Sequence, residues 1–194
     1  MGISVYAPDG EVGPEPATLA AGPSVLTGLR IGVLDNGKPN AAVVMTRAAE
    51  ALAARTGARV SLVTKKGPQG LSANAAIPCA PDIFERLLAQ TDIVITGSAD
   101  CGSCTAYSVF DAIELEKAGT PAVVVTTTKF EPIAATMAAN FGLPDLRTLV
   151  LDHPIGGTAR ATLDAWADAA SDRLVALFTQ GGEERPSIRC PSTQ

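Results

Sequence analysis

Asp92-Ile93-Val94-Ile95-Thr96-Gly97-Ser98-Ala99-Asp100-Cys101-Gly102-Ser103-Cys104 runs from an apolar segment through a short polar link into two cysteines two residues apart. Asp92 to Gly97 reads as a buried strand, and Thr105 to Lys117, directly after the cysteines, reads as a helix. The same alternation recurs on both sides. Strands are predicted at 30–35, 59–64, 92–97, 121–126 and 147–152. Helices are predicted at 40–55 (ended by Gly57), 81–90, 104–118 (ended by Gly119) and 131–141 (ended by Gly142), with one long closing helix at 158–179. Short apolar strands with a helix after each one specify a mostly parallel sheet covered on both faces. Right-handed crossovers then give a three-layer, doubly wound α/β sandwich of five strands, for which the order 2-1-3-4-5 of flavodoxin-like sheets is expected.

The 194-residue chain suffices for one such domain, expected at 29–180. Residues 1–28, rich in Pro, Gly and Ala, read as an N-terminal arm that packs on the domain or on a partner, and 181–194 as a flexible tail carrying Cys190. Hydrophobic content of 46% and charged content of 18% exclude a disordered chain. A net charge of −5 disfavours nucleic acid as a partner. No run approaches the roughly 18 apolar residues of a membrane span. The N-terminus has no basic stretch ahead of an apolar one, so no secretory signal is read and a cytoplasmic location is expected. The arm makes a homo-oligomer plausible.

Four cysteines (Cys79, Cys101, Cys104 and Cys190) are too few for a disulfide scaffold in a chain of this length. Cys101 and Cys104 sit at a strand-to-helix junction, where helix N–H groups favour thiolate over thiol. Cys101 is the candidate nucleophile and Cys104 its resolving partner. One CxxC supplies two metal ligands and no second pair follows, so no metal is expected. Ligands of open α/β sheets bind beyond the C-terminal ends of the strands. Four predicted loops converge there: Asp35 to Asn40, Ser98 to Cys101, Thr126 to Lys129 and His153 to Gly157. From them come His153 as general acid or base, Lys38 for an anionic substrate end, and Asn36, Asn40, Thr127, Gly156 and Gly157 as further substrate-binding candidates. Asn40 reads as a helix cap. Ser103 reads either as a hydrogen-bond donor to thiolate or substrate or as a cap. Asp35 and Asp100 read as turn or capping residues, or else as groups that orient their neighbours, and Cys79 reads as either a third thiol of the site or a plain loop residue. Asp111, Glu114, Glu116 and Lys117 read as the solvated side of their helix. Neither G-x-x-x-x-G-K-[ST] nor a G-x-G-x-x-G after the first strand is present, so no nucleotide cofactor is indicated.

Leu34 to Asn40, Thr96-Gly97 with Asp100 to Cys104, Asp111 to Lys117, Phe130-Glu131-Pro132, Gly142 to Asp145 and His153 to Gly157 together make the chain resemble the UGSC family of (seleno)proteins over about residues 25 to 178. Members of that family can carry selenocysteine at the first position of the motif, which is Cys101 here. The resemblance thus implies that Cys101 is the attacking, redox-active atom and Cys104 its partner. It transfers no defined reaction. The motif alone is also similar to that of the selenocysteine-dependent reductases of glycine and proline, a distant analogy.

Three functions follow as expectations. The first is a thiol/disulfide oxidoreductase that cleaves a bond in a small molecule, with an anionic end as the ligand Lys38 would suit, and is restored by an external thiol or a reducing partner protein. The second is non-redox covalent catalysis (lyase, transferase or hydrolase), with Cys101 as nucleophile and His153 as acid/base. The third is a non-catalytic ligand-binding or accessory subunit.

Overall fold

The computed structural model describes residues 13–65 and 75–179. Cys190, the 181–194 tail and the first part of the arm lie outside the described residues. The elements are β1 (Arg30–Asp35), α1 (Ala41–Thr56), β2 (Arg59–Thr64), α2 (Pro81–Gln90), β3 (Ile93–Ala99), α3 (Gly102–Lys117), β4 (Ala122–Thr127), α4 (Glu131–Asn140), β5 (Thr148–Leu151), α5 (Arg160–Ala169) and α6 (Ser171–Thr179). The sheet order is β2-β1-β3-β4-β5, and every pairing is parallel. The chain therefore has the flavodoxin-like α/β fold expected of its alternating pattern.

Side chains alternate across a strand, so each buried strand feeds two cores. Ile31, Val33, Ile93, Ile95, Val123, Val125, Leu149 and Leu151 pack with α1, α5 and α6 on one face. Leu34, Val94, Ala122 and Val124 pack with α2, α3 and α4 on the other. The sheet is the middle layer of three.

Two expectations are corrected. The closing helix is two helices, because the chain turns at Ala170, whose N–H bonds both Trp166 O (3.0 Å) and Ala167 O (3.2 Å). The turn lets Leu163 and Ala167 of α5 and Leu174 and Phe178 of α6 enter the same core. The second correction concerns α3. Asp111 and Glu116 are not solvated; both are buried at 2% exposure. The helix lies against β3, β4 and α4, so little of its circumference faces water. Glu114 and Lys117 do form an exposed pair at 3.0 Å.

The two buried carboxylates clamp distant parts of the chain. Glu116 pairs with the guanidinium of Arg147, and both side chains are almost fully buried. Ala20 N donates to Glu116 Oε2 at 2.6 Å, and Ala122 N to Oε1 at 2.9 Å. Arg147 Nε donates to Leu177 O at 3.0 Å, and Nη2 to Ala20 O at 2.8 Å. One ion pair thus joins the N-terminal segment, α3 and the starts of β4 and β5 to the end of α6. Asp111 Oδ2 accepts from Lys65 Nζ at 2.6 Å, with the two side chains 2% and 3% exposed.

Removing one partner of a buried pair strands the other charge at a cost of about 3–5 kcal/mol. Arg147→Met should lower urea-unfolding stability by about that amount. An unchanged midpoint and slope would show that the pair does not clamp the fold.

Candidate functional site

Strand β3 delivers the chain to the site through a backbone only glycine tolerates. Gly97 has φ +149°, and a Cβ there would lie 2.8 Å from Val125 O on β4. The Gly97–Ser98 peptide is cis, as is His153–Pro154 on the facing loop. Cys101 then takes an extended conformation (φ −151°, ψ 168°) as the N-cap of α3. Its sulfur accepts from the N–H of Cys104, and the Cys104 sulfur accepts from Cys101 N at 3.0 Å. This is a capping box in which two thiols take the places of Ser and Glu. Cys101 O collects three donors: Thr105 N (3.0 Å), Thr105 Oγ1 (2.5 Å) and Cys104 Sγ (3.2 Å).

The two thiols differ in environment. Cys101 is half-buried, whereas Cys104 is wholly buried; neither is in a disulfide. Burial, reinforced by the hydrogen bond with the Cys101 side chain, pushes the Cys104 thiol up to about 12. Gly102 and Ser103 are exposed, and a Cβ on Gly102 would meet nothing within 4 Å, so the mouth of the site lies open above the first turn. Ser103 stands in that turn, and the cap is Cys101 instead.

Asp100 joins the thiols to the loop after β5. Its Oδ1 is 3.3 Å from Ser98 Oγ and 3.9 Å from Cys104 Sγ, and its Oδ2 accepts from Gly156 N at 3.4 Å. The N–H of Gly156 therefore faces a carboxylate rather than a substrate anion. Gly157 beside it is in the left-handed region at φ +83°. His153 is exposed; Thr127 Oγ1 holds its Nδ1 at 3.1 Å, and the Phe130 ring lies 5.7 Å from its ring centre. That bond leaves Nε2 as the ring atom that can exchange a proton with a ligand.

The loop after β1 contributes differently from its sequence reading. Asn36 is 1% exposed, and its Nδ2 donates to Ser98 O (2.8 Å) and Ser108 Oγ (3.2 Å), while its Oδ1 accepts from Lys38 N (3.2 Å). It positions three segments and has no surface left for a substrate. Asn40 precedes α1 but makes no side-chain cap; its Nδ2 crosses to Ile155 O (2.9 Å) and Thr158 O (3.1 Å). The backbone of Asn40 sits in the left-handed region (φ 65°), which Asn tolerates. Asp35 makes the expected turn, accepting from Gly37 N at 2.9 Å. The half-buried Lys38 has no ion-pair partner among the described residues.

Asp100 bridges the thiol helix and the loop after β5, the orienting alternative of its sequence reading. Its position next to Cys101 was visible, but its contacts with Gly156 and Cys104 required the fold. Cys79 lies apart from this network. Its N–H donates to Asp111 Oδ1 at 2.8 Å, and burial, then the Asp111 charge, pushes its thiol up to about 12. Burial likewise holds the Asp111 carboxyl above its ordinary range in spite of Lys65. Among the described residues no three His, Cys, Asp or Glu side chains converge as metal ligands, and no helix is long and apolar enough to cross a membrane.

Fold and site together define a flavodoxin-like α/β protein with a dithiol at a helix N-terminus. The UGSC family model matches residues 4–180, and the chain belongs to that family. The match extends across the described part of the N-terminal segment, which the sequence resemblance had left largely out. No curated protein matches the chain. Among solved structures it is similar to the lactose-specific IIB component domain of the phosphoenolpyruvate:carbohydrate phosphotransferase system from Streptococcus pneumoniae (12% identity, 78% of this chain, 99% of that one, TM-score 0.31). It is also similar to an FMN-dependent NADH-azoreductase from Bacillus anthracis (8% identity, 78% and 100%, TM-score 0.41). A third similar structure is the microcin C7 self-immunity protein MccF (17% identity, 81% and 47%, TM-score 0.41).

The contrast between the thiols has a direct chemical consequence. A thiol pushed up to about 12 has on the order of one part in 10⁴ as thiolate at pH 8. In Cys190→Ser protein, brief treatment with iodoacetamide at pH 8 should label Cys101 well before Cys104 or Cys79, as read by peptide mass mapping. Cys104 and Cys79 should gain reactivity only as pH rises toward 12. Labelling of Cys104 ahead of Cys101 would contradict the assignment.

Proposed function

We propose that this protein is a cysteine-dependent enzyme acting on a small molecule, and that its reaction is a thiol/disulfide oxidoreduction. The observation that carries the reading is the reciprocal bonding of a half-buried Cys101 with a buried Cys104 at the start of α3. The N–H of Cys104, in the first turn of the helix, donates to the outer sulfur. In the reaction, Cys101 thiolate attacks one atom of a substrate bond and the other atom leaves with the bonding electrons and a proton. Cys104 then attacks Cys101 Sγ, which releases the first substrate atom as its protonated form and leaves a disulfide. Two electrons pass from the dithiol to the substrate, and an external thiol or a reducing protein returns them. His153, held by Thr127, protonates the leaving group, and the Lys38 ammonium attracts an anionic substrate end. In this reading the protein works in the cytoplasm, where thiols are kept reduced, and needs neither nucleic acid nor a membrane.

The complete burial of Cys104 supports a second reading, in which Cys101 acts alone as a covalent nucleophile in a lyase, transferase or hydrolase reaction. The two part at Cys104→Ser. With an organic disulfide such as hydroxyethyl disulfide as substrate, the oxidoreductase reading expects turnover to stop after one equivalent, with an intact-mass adduct on Cys101. Continued cycling by Cys104→Ser without any electron donor, on a redox-neutral substrate such as a thioester, selects the second reading, and unaltered function in Cys101→Ala would remove both in favour of a binding subunit. His153→Gln should lower kcat by about 10²-fold and abolish the limb of the pH profile that reports the acid. An unchanged profile would take His153 out of the mechanism.

A further inference from the structure

We propose that Asp100 is the base that takes the proton of Cys104 as the disulfide closes. The inference rests on the dithiol reading of the same site. Closing the disulfide requires the inner sulfur to attack Cys101 Sγ, and that sulfur is wholly buried. Two acceptors face it: Cys101 O at 3.2 Å and Asp100 Oδ1 at 3.9 Å. A peptide carbonyl is no base, so the carboxylate is the group of the two that can carry the proton away. Asp100 is also fixed in place. Ser98 Oγ donates to Oδ1 (3.3 Å) and Gly156 N to Oδ2 (3.4 Å), which pins the carboxylate between the thiol helix and the loop that carries His153.

Burial holds Cys104 protonated, with its thiol near 12, so closure through a preformed thiolate would be slow at neutral pH. A carboxylate at the sulfur removes that barrier. Cys104 Sγ–H gives its proton to Asp100 while its electron pair forms the bond to Cys101 Sγ. The bond from Cys101 Sγ to the substrate sulfur breaks, and that sulfur leaves as a thiolate. Asp100 then returns the proton to the leaving thiolate or to solvent. The substrate disulfide is the oxidant and the dithiol the reductant. The charged and titratable groups on the segments that meet at this edge are Cys101 beside Asp100, Asp35 at the end of β1 and Lys38 after it, Lys129 after β4, and Asp152 and His153 after β5.

The test uses full-length protein with Cys79→Ser and Cys190→Ser, mixed with 5,5′-dithiobis(2-nitrobenzoate). The first coloured thiolate released reports attack by Cys101, and the second reports closure by Cys104. Proton transfer to a carboxylate makes the second phase level through the neutral range, because carboxylates as a class are already ionised there. Attack by preformed thiolate instead makes it climb about tenfold per pH unit. The wild-type second phase should be level from about pH 6 to 9. With Asp100→Asn it should slow by about 10²-fold at pH 7 and acquire the tenfold slope, while the first phase moves by less than about threefold. A carboxylate that merely braces Gly156 would alter both phases alike and leave the slope unchanged. Three results overturn the inference: that bracing pattern in Asp100→Asn, a wild-type second phase that already climbs tenfold per pH unit, which can be read even if Asp100→Asn fails to fold, or an Asp100→Asn second phase with wild-type speed and slope. A wild-type protein that stops at one equivalent, with the adduct persisting on Cys101, overturns the dithiol reading itself and this inference with it.

Discussion

Helix α3 is held by three polar contacts along its length, and the geometry of the site depends on them. Near the thiols, Ser108 receives the buried amide of Asn36 at 3.2 Å. One turn further on, Asp111 pairs with Lys65. At the last turn Glu116 pairs with Arg147, which in turn holds the N-terminal segment and the end of α6. Each contact is directional, unlike apolar packing, so together they fix the rotation and the axial position of the helix as well as its depth. Charges this deep are costly when unpaired, which makes any slippage of α3 expensive. The thiols at its N-terminus inherit that precision.

The site turns two identical side chains into different reagents. Cys101, in extended backbone at the helix mouth, is half-buried beside an open first turn. Cys104, three residues on, points back into the protein, because the first turn of a helix carries its fourth residue under the cap. Burial then keeps that inner sulfur as a thiol. In the proposed reaction such a pair keeps one sulfur for attack and the other in reserve, with His153 and Asp100 on the surrounding loops.

Where the residues were misread, tertiary contact overrode a local rule. Asp111 and Glu116 obey the spacing of a solvated helix face, yet each finds a cation from a remote segment, Lys65 and Arg147. Asn40 stands at a cap position but spends its amide on the loop after β5. Asn36 looked like a substrate ligand because it follows a strand end; it is consumed by the ends of β3 and α3. Asp100 read as a turn residue or as one that orients its neighbours, and the link to Gly156 that decides between them spans 56 residues of sequence. All of these partners are distant along the chain, so no window of sequence contains them.

The alternation of apolar strands with helices, the glycines that close helices and the thiol pair at a strand-to-helix junction are all written in local sequence. They determined the layers, the parallel sheet and the edge on which the thiols fall, because periodicity, turn conformation and the direction of a βαβ crossover are short-range properties. Which carboxylates are buried, which thiol is accessible, which amides are free and where the last helix turns were decided only when the strands took their order. Burial and charge pairing depend on neighbours in space, and the order β2-β1-β3-β4-β5 is what made those residues neighbours.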